Sequence, residues 1–220
     1  MGDLFKVLSD NSDEFLSGFW VTVRLVAFSF LIAMTVGTLV AALRIAPSKW
    51  LQRLGGIYVE TFRNIPLLVL LFIAFAGLRR AGVDINAWVA GIASLGLYTA
   101  AYVAEALRSG GFSVSKGQIE AALSLGYTHS QAMRRVVFPQ AFRTVISPLG
   151  SLIIAMIKNS AIIGAVFALA DDLLKEARLI SSATFQYNEV FFWAAVGYLL
   201  LTVSVTFAFR AIERRLVVRR

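Results

Sequence analysis

The sequence predicts an all-α integral membrane protein, a bundle of about five transmembrane helices. Of its 220 residues, 58% are hydrophobic and 15% are charged, whereas a soluble domain has about 45–50% apolar and about 25% charged residues. Five apolar runs are each near the roughly 20 residues that an α-helix needs to cross a bilayer. A lipid-exposed backbone must satisfy its own hydrogen bonds, which favours helices. These observations predict one transmembrane domain over residues 1–220, with no room for a separate soluble domain.

The predicted spans follow one another with short connections, apart from one sizeable loop. In chain order they are 19–43, 57–78, 87–107, 143–167 and 190–209. Residues 1–18 place apolar side chains at helical spacing among acids, which predicts an amphipathic tail lying on the outer surface. The connection 79–86 is short enough to make its two spans antiparallel neighbours. Residues 108–142 are polar enough to leave the membrane.

The distribution of charge predicts the orientation. Lysine and arginine are concentrated in 44–64, 108–143 and 210–220. The N-terminal tail, 79–86 and 168–189 together hold more acids and fewer basic residues, although Arg79 and Arg80 depart locally from this distribution. Because basic loops stay on the cytoplasmic side, we expect the N-terminus outside and the C-terminus in the cytoplasm. The net charge of +8 then belongs to loops facing the cytoplasm, and no nucleic-acid partner is expected.

Several classes of chemistry are excluded by residue content. The chain has no cysteine, and His129 is its single histidine, so we expect no disulfide, no cysteine or histidine metal site and no thiolate nucleophile. It also lacks the Gly-x-x-x-x-Gly-Lys-Ser/Thr loop that cradles nucleotide phosphates. Catalytic residues and bound cofactors are therefore expected to be absent from this chain.

The loop between the third and fourth spans predicts two short helices. The capping-box pattern Ser/Thr-x-x-Gln occurs twice, at Ser115–Gln118 and at Thr128–Gln131. Gly126 suits the left-handed position that follows a helix end, and Pro139 is expected to end or kink the second helix. This pattern alone fits either an ordinary surface helix with a glycine stop or a rigid apolar knob that docks into a partner.

The spacing within this loop is more specific. Glu120-Ala121-Ala122, Gly126 four residues later, Val136 and then Phe138-Pro139 resemble the EAA loop of type I ABC importer permeases. In that family the loop forms a coupling helix that docks into a groove of the cytoplasmic ATPase. The resemblance implies that the residues coupling this chain to an ATPase are Glu120, Ala121, Ala122, Leu123, Gly126 and Pro139.

Other motifs resemble the polar amino-acid uptake subfamily of these permeases. They are Arg63-Asn64-Ile65-Pro66-Leu67-Leu68, Tyr102-Val-Ala-Glu105-Ala-Leu-Arg108, Phe138-Pro139-Gln140-Ala141-Phe142-Arg143 and Lys158-Asn159-Ser160. The chain is also similar to permeases of actinobacterial glutamate uptake systems. The resemblance implies a multi-pass protein of a bacterial cytoplasmic membrane that imports a polar amino acid, with glutamate or a related acidic or amide amino acid as candidates.

The resemblance also implies partners. These are a second permease, identical or related, two cytoplasmic ABC ATPase subunits that bind the ATP and magnesium, and an extracytoplasmic binding protein that delivers the amino acid. The alternative reading is a self-sufficient secondary transporter or an intramembrane enzyme. A secondary transporter would favour inverted repeats, and an enzyme would need clustered catalytic side chains.

Two sets of polar residues remain as candidates. Glu105 and Arg108, together with Arg63, are expected to orient the EAA loop through an ion pair or interfacial snorkelling, with substrate contact as the alternative. Lys158, Asn159 and Ser160 are the candidates for the substrate path. Lys158 could meet a substrate carboxylate, neutralise an acid on a neighbouring helix or cap broken backbone.

Overall fold

The structure, a computed structural model, describes residues 2–111, 113–167 and 171–216. These residues form helices joined by short connections, with no β-strand among them. In chain order the helices are α1 (Gly2–Asp10), α2 (Ser12–Ile45), α3 (Lys49–Asn64), α4 (Leu67–Phe72), α5 (Leu78–Arg80), α6 (Ala87–Gly111), α7 (Lys116–Ser124), α8 (His129–Ala132), α9 (Phe138–Phe167), α10 (Leu173–Thr184) and α11 (Tyr187–Leu216). π-helical turns at Ile73–Gly77 and Met133–Val137 join α4 to α5 and α8 to α9. We call the end of the bundle that carries α7 the inner end, following the predicted orientation, and the opposite end the outer end.

Four continuous helices in the described part of the chain are long and apolar enough to cross a membrane. They are α2, α6, the run formed by α8 and α9, and α11. Each contains one of the predicted spans and extends beyond it into more polar sequence, because the helical hydrogen-bond ladder does not stop where the apolar run does. A helical bundle with up to five crossings is therefore confirmed.

The predicted second span, 57–78, is not one straight helix. The axis turns by 101° between α3 and the run Leu67–Arg80. The ring of Pro66 disfavours helical geometry in the residue before it, and Pro66 has no N–H to donate. Ile65 accordingly has extended backbone, with φ −96° and ψ 128°. The crossing length was predicted from apolar content, but the change of direction follows from the proline.

The core of the bundle forms where α2 and α6 pack along each other. A Cβ atom built on Gly37 would lie 2.7 Å from Cγ1 of Val103, and one built on Gly96 would lie 2.8 Å from Cβ of Ile32. Small residues at these positions let the two helices approach closely, as is common between membrane helices. The fully buried side chains around this contact include Leu25, Ala33, Leu71, Leu95, Val103, Met156 and Ile163.

At the outer end, α1 and α10 pack against α11. Trp193 of α11 donates its indole N–H to the backbone oxygen of Leu4 over 2.7 Å, and its ring meets that of Phe5 edge to face at 5.7 Å between centroids. The predicted tail 1–18 is thus divided, because only its first part forms the separate helix α1. Residues 12–18 are the first turns of the long helix α2.

Candidate coupling loop and substrate path

The helix α7 carries the Glu-Ala-Ala sequence and presents part of it to solvent. Glu120 and Ala121 are exposed, whereas Ala122 is buried against the same chain. Leu123 is 41% exposed. The carboxylate of Glu120 has no ion-pair partner in the described part of the chain. The helix therefore offers a charged and apolar edge while one alanine anchors it.

The two ends of α7 differ from each other. Ser115 is the residue that precedes the helix, but its side chain makes no capping hydrogen bond, so the predicted box with Gln118 is wrong. The first turn is closed instead by the backbone, with Gln118 N–H donating to the Ser115 carbonyl over 3.1 Å. A backbone turn satisfies the same donor that a side-chain cap would have satisfied.

The second end of α7 is locked by Gly126. Its φ of +85° lies in the left-handed region, as predicted. Tyr127 N–H donates to the Ala122 carbonyl over 3.2 Å, and Gly126 N–H donates to the Leu123 carbonyl over 2.9 Å. These two bonds form a Schellman motif, which satisfies carbonyls that the helix end would otherwise leave free. The chain therefore turns at a defined angle into α8.

The predicted capping box at Thr128 is present. Gln131 N–H donates to Thr128 Oγ1 over 3.3 Å, and Thr128 N–H donates to Gln131 Oε1 over 2.8 Å. Pro139, however, does not end this helix, which runs on from His129 to Ala165. The π-helical turn Met133–Val137 ends two residues before Pro139. A π turn changes the hydrogen-bond register, and this lets the helix pass a residue that has no N–H.

An ion-pair cluster joins two helices just before the loop. Glu105 of α6 pairs with Arg108 in the next turn and with Arg44 in the last turn of α2. The ion pair between Glu105 and Arg108 was one of the alternatives expected from sequence. The role of Arg44 was missed, because 61 residues separate it from Glu105. Both arginines line a cleft of about 830 Å³ that also reaches Phe138 at the start of α9.

Arg63 lies near this cluster, and its side chain contacts an aromatic ring. Its guanidinium lies over the ring of Tyr102, 5.3 Å from the centroid, a distance at which cations and aromatic rings attract each other. It borders an open groove of about 480 Å³ between α3, α6 and α9. The polar residues around the groove include Arg63, Tyr102, Glu105, Ser109, Ser113, Thr144 and Ser151.

The three predicted path residues do not share one environment. Lys158 is exposed, Asn159 is half-buried and Ser160 is fully buried. The hydroxyl of Ser160 donates to the Ile157 carbonyl over 2.7 Å, so in this conformation it is satisfied within α9. Lys158 borders a pocket of about 300 Å³ with Leu174 and α11 side chains. Its ammonium has no acidic partner in the part of the chain that the structure describes.

Asp172 lies in the acid-rich connection 168–189, which the charge distribution places outside, and it is fully buried. It precedes α10, and its Oδ1 accepts the Lys175 N–H over 2.9 Å. Burial raises the pKa of this carboxyl to about 6, because a low-dielectric surrounding disfavours the charged form. A Cβ on Gly164 would lie 1.7 Å from Oδ1, so a glycine in α9 makes room for the acid. Periodicity could not reveal a burial that depends on two distant segments.

A second bond at this point ties α10 to α2. Leu173 N–H donates to Thr22 Oγ1 over 3.1 Å, and the hydroxyl donates to the Gly18 carbonyl over 2.9 Å. No cluster of three or more metal-ligating side chains lies within the described ranges.

Comparison with known proteins identifies the relatives of this arrangement. Residues 33–218 match the family described as "binding-protein-dependent transport system inner membrane component". A probable glutamine ABC transporter permease protein of Bacillus subtilis is 42% identical, and the match covers 96% of this chain and 97% of that protein. A glutamate transport system permease protein of Corynebacterium efficiens is 37% identical over 96% of this chain and 98% of its own length. The crystal structure of an amino acid ABC transporter with histidines superposes with a TM-score of 0.87 at 35% identity, covering 94% of this chain and 96% of that chain.

Proposed function

Because the chain belongs to the family of inner membrane components of binding-protein-dependent transport systems, we propose that it imports a polar amino acid of the glutamate or glutamine type. The family makes it a membrane-embedded transport subunit rather than an enzyme. The amino-acid class is supported by relatives whose names specify glutamine and glutamate over nearly the full length of the chain. The observation that carries the coupling mechanism is the exposed, rigidly terminated helix α7.

The coupling step is assigned to α7. An ATPase must move a permease through a contact that transmits force, and a helix fixed at its end transmits a displacement better than a flexible loop. Gly126 fixes that end, and Glu120, Ala121 and Leu123 are exposed, so they would form the edge that faces the ATPase. Ala122 holds the edge against the chain from behind. Movement of α7 is passed on through α8, which continues without a break into the membrane-spanning part of α9.

The ion-pair cluster is assigned a positioning role. Glu105 joins the inner ends of α2 and α6 through Arg44 and Arg108, a few residues before the loop begins. Glu105 is the acid that both ion pairs share, so both links depend on it, and removing one partner of a buried ion pair is destabilising. The cluster would therefore hold both helices as one unit when α7 moves.

The substrate path is assigned to the side of α9 that carries Lys158. An ammonium in a membrane span is costly unless it meets water, a protein partner or a ligand. Lys158 has no acidic partner among the described residues, which favours contact with a substrate carboxylate over neutralisation of a neighbouring acid. Asn159 could contribute beside it. Toward the inner end, the polar groove beneath Arg63 would continue the route.

One chain of this size provides half of a path, so a second permease, identical or related, is expected around a twofold or pseudo-twofold axis. Two cytoplasmic ATPase subunits would bind ATP and magnesium, since this sequence has no phosphate-binding loop. An external binding protein would deliver the amino acid to the outer end.

The test is transport by the reconstituted importer. The permease, its ATPase and its binding protein are placed in vesicles, and uptake of labelled glutamate, glutamine, aspartate and arginine is compared with and without ATP. We expect ATP-dependent accumulation of glutamate or glutamine and little uptake of arginine. An ATPase variant that cannot hydrolyse ATP is the control. Uptake that continues unchanged in this control would contradict the proposal and favour a secondary transporter.

A further inference from the structure

The helix α3 packs against the inner parts of α2 and α6. Gly55 packs on the last turns of α2, where an added Cβ would lie 2.7 Å from Cγ of Arg44. One turn further on, Val59 is buried with Val40 of α2 and Ala104 of α6. The following run then departs at 101°. A helix that packs beside the inner parts of its neighbours and then turns by 101° into the next segment is not a straight part of a membrane crossing.

The sides of α3 divide into three sectors. With about 100° of rotation per residue, Gly55 and Val59 share the sector that faces the bundle, and both are buried. Roughly 120° to 180° away, Trp50, Leu54 and Ile57 form a stripe at i, i+4 and i+7. They are 65%, 41% and 62% exposed. A contiguous exposed row of large apolar side chains is typical of a surface that contacts a membrane or another protein.

The third sector is charged and lies beside the apolar stripe. Lys49 and Arg53 are one turn apart, exposed, and form no ion pair within the described residues. Like charges at this spacing repel each other and weaken a helix. Glu60 lies on the same side but nearly two turns beyond Arg53. The end of α3 that carries Trp50 is therefore positive, and an anion would relieve its repulsion.

We propose that α3 is an interfacial helix that binds anionic phospholipids of the inner leaflet. The stripe of Trp50, Leu54 and Ile57 enters the boundary between head groups and acyl chains, and Lys49 and Arg53 contact the head-group phosphates. Amphipathic helices with basic flanks bind membrane surfaces in this way, tryptophan is enriched at that depth, and the cytoplasmic leaflet is the one rich in anionic lipid.

Continuity with the lipid-facing surface favours lipid over a protein partner. The exposed apolar residues of α2 include Phe28, Leu31, Leu39 and Ile45, and they follow one side of that helix to its inner end. α3 begins four residues after Ile45. A charged sector next to an apolar one also matches the boundary between lipid and water better than it matches a uniformly buried protein interface.

The experiment uses the fluorescence of Trp50 in the complete importer. The native protein and a Trp50→Phe variant are reconstituted in vesicles that contain increasing fractions of lipid brominated near the head group, either phosphatidylglycerol or phosphatidylcholine. The difference between the two proteins isolates quenching at Trp50. We expect the anionic quencher to act at a lower mole fraction than the zwitterionic one, and this preference should fall by about fivefold for each cation removed in Lys49→Gln and Arg53→Gln.

A matched control removes charge elsewhere on the inner side. Lys116→Gln neutralises an exposed lysine on α7 and should leave the preference at Trp50 unchanged. Equal quenching by the two lipids would overturn the proposal, because no anion would then be selected. Absence of quenching by both would also overturn it and would indicate that a protein subunit covers the stripe. ATP-driven uptake measured on the same vesicles keeps this result separate from the proposed transport function.

Discussion

Gly126 provides the sharpest test of the coupling loop, because its substitution acts on backbone geometry alone. Its φ is +85°, and a Cβ built there meets no atom within 4 Å. Gly126→Val therefore creates no collision but places a β-branched residue in the left-handed region. That conformation costs roughly 1–2 kcal/mol for a residue other than glycine, so the population of correctly closed loop should fall by about 5- to 30-fold.

Two further variants make the reasoning specific. Gly126→Asn should be much milder, because asparagine tolerates the left-handed region. Gly82 has the same φ of +85° and equally open surroundings, but it lies in the connection at the outer end. Gly82→Val therefore introduces the same local strain far from the ATPase, and it should leave coupling intact.

The assay measures three quantities on each variant: permease present in the membrane, ATPase activity stimulated by the loaded binding protein, and uptake. For Gly126→Val we expect normal membrane levels with stimulation and uptake largely lost. The reasoning is refuted if Gly82→Val loses as much stimulation as Gly126→Val, or if Gly126→Val and Gly126→Asn behave alike.

Three other predictions concern orientation, substrate and stability. In intact cells, Asp10→Cys should react with an impermeant thiol reagent and Gln118→Cys should not, since the charge bias puts them on opposite sides; labelling at position 118 would reverse the orientation. Lys158→Met should abolish uptake while ATPase association persists, and undiminished uptake would leave Lys158 as a tolerated charge. The pKa of Asp172 is raised to about 6 in the folded protein, so the carboxyl of the unfolded chain loses its proton at a lower pH than that of the folded protein. The free energy of unfolding in detergent should therefore fall by at most roughly 3 kcal/mol as pH rises from about 4 to about 6, and it should then level off. Asp172→Asn should remove this slope, whereas exposed Asp171→Asn should not, and a slope that persists in Asp172→Asn would contradict the assignment.

Local chemistry explains the features that the sequence could predict. The crossing helices follow from apolar runs of membrane-spanning length, because the bilayer imposes one length and one backbone solution on every span. The left-handed turn at Gly126 and the capping box at Thr128 involve residues within a few positions of each other. Such features depend on neighbouring residues, and periodicity and spacing therefore identify them.

Sequence predictions were wrong or incomplete where a second backbone conformation or hydrogen-bond pattern was possible. Ser115 precedes a helix and has a glutamine three residues on, yet a backbone bond closes the turn. Pro139 was expected to end or kink the second helix, and the helix continues through it after a π-helical turn. At Pro66, span 57–78 was predicted from apolar content alone, and the helix turns by 101° there.

The membrane class, the apolar runs and the EAA spacing could be identified from the sequence, since each of these is a property of residues close together in the chain. Three features follow from the tertiary structure alone: the burial of Asp172, the pairing of Arg44 with Glu105 across 61 residues, and the packing of α3 against α2 and α6. Burial and ion pairing depend on which distant segments come into contact. An amphipathic pattern predicts that a helix has an apolar side and a polar side, but it does not identify what each side contacts. In α3, Gly55 and Val59 face the bundle, and this contact leaves the charged sector and the apolar stripe on the exposed sides of the helix.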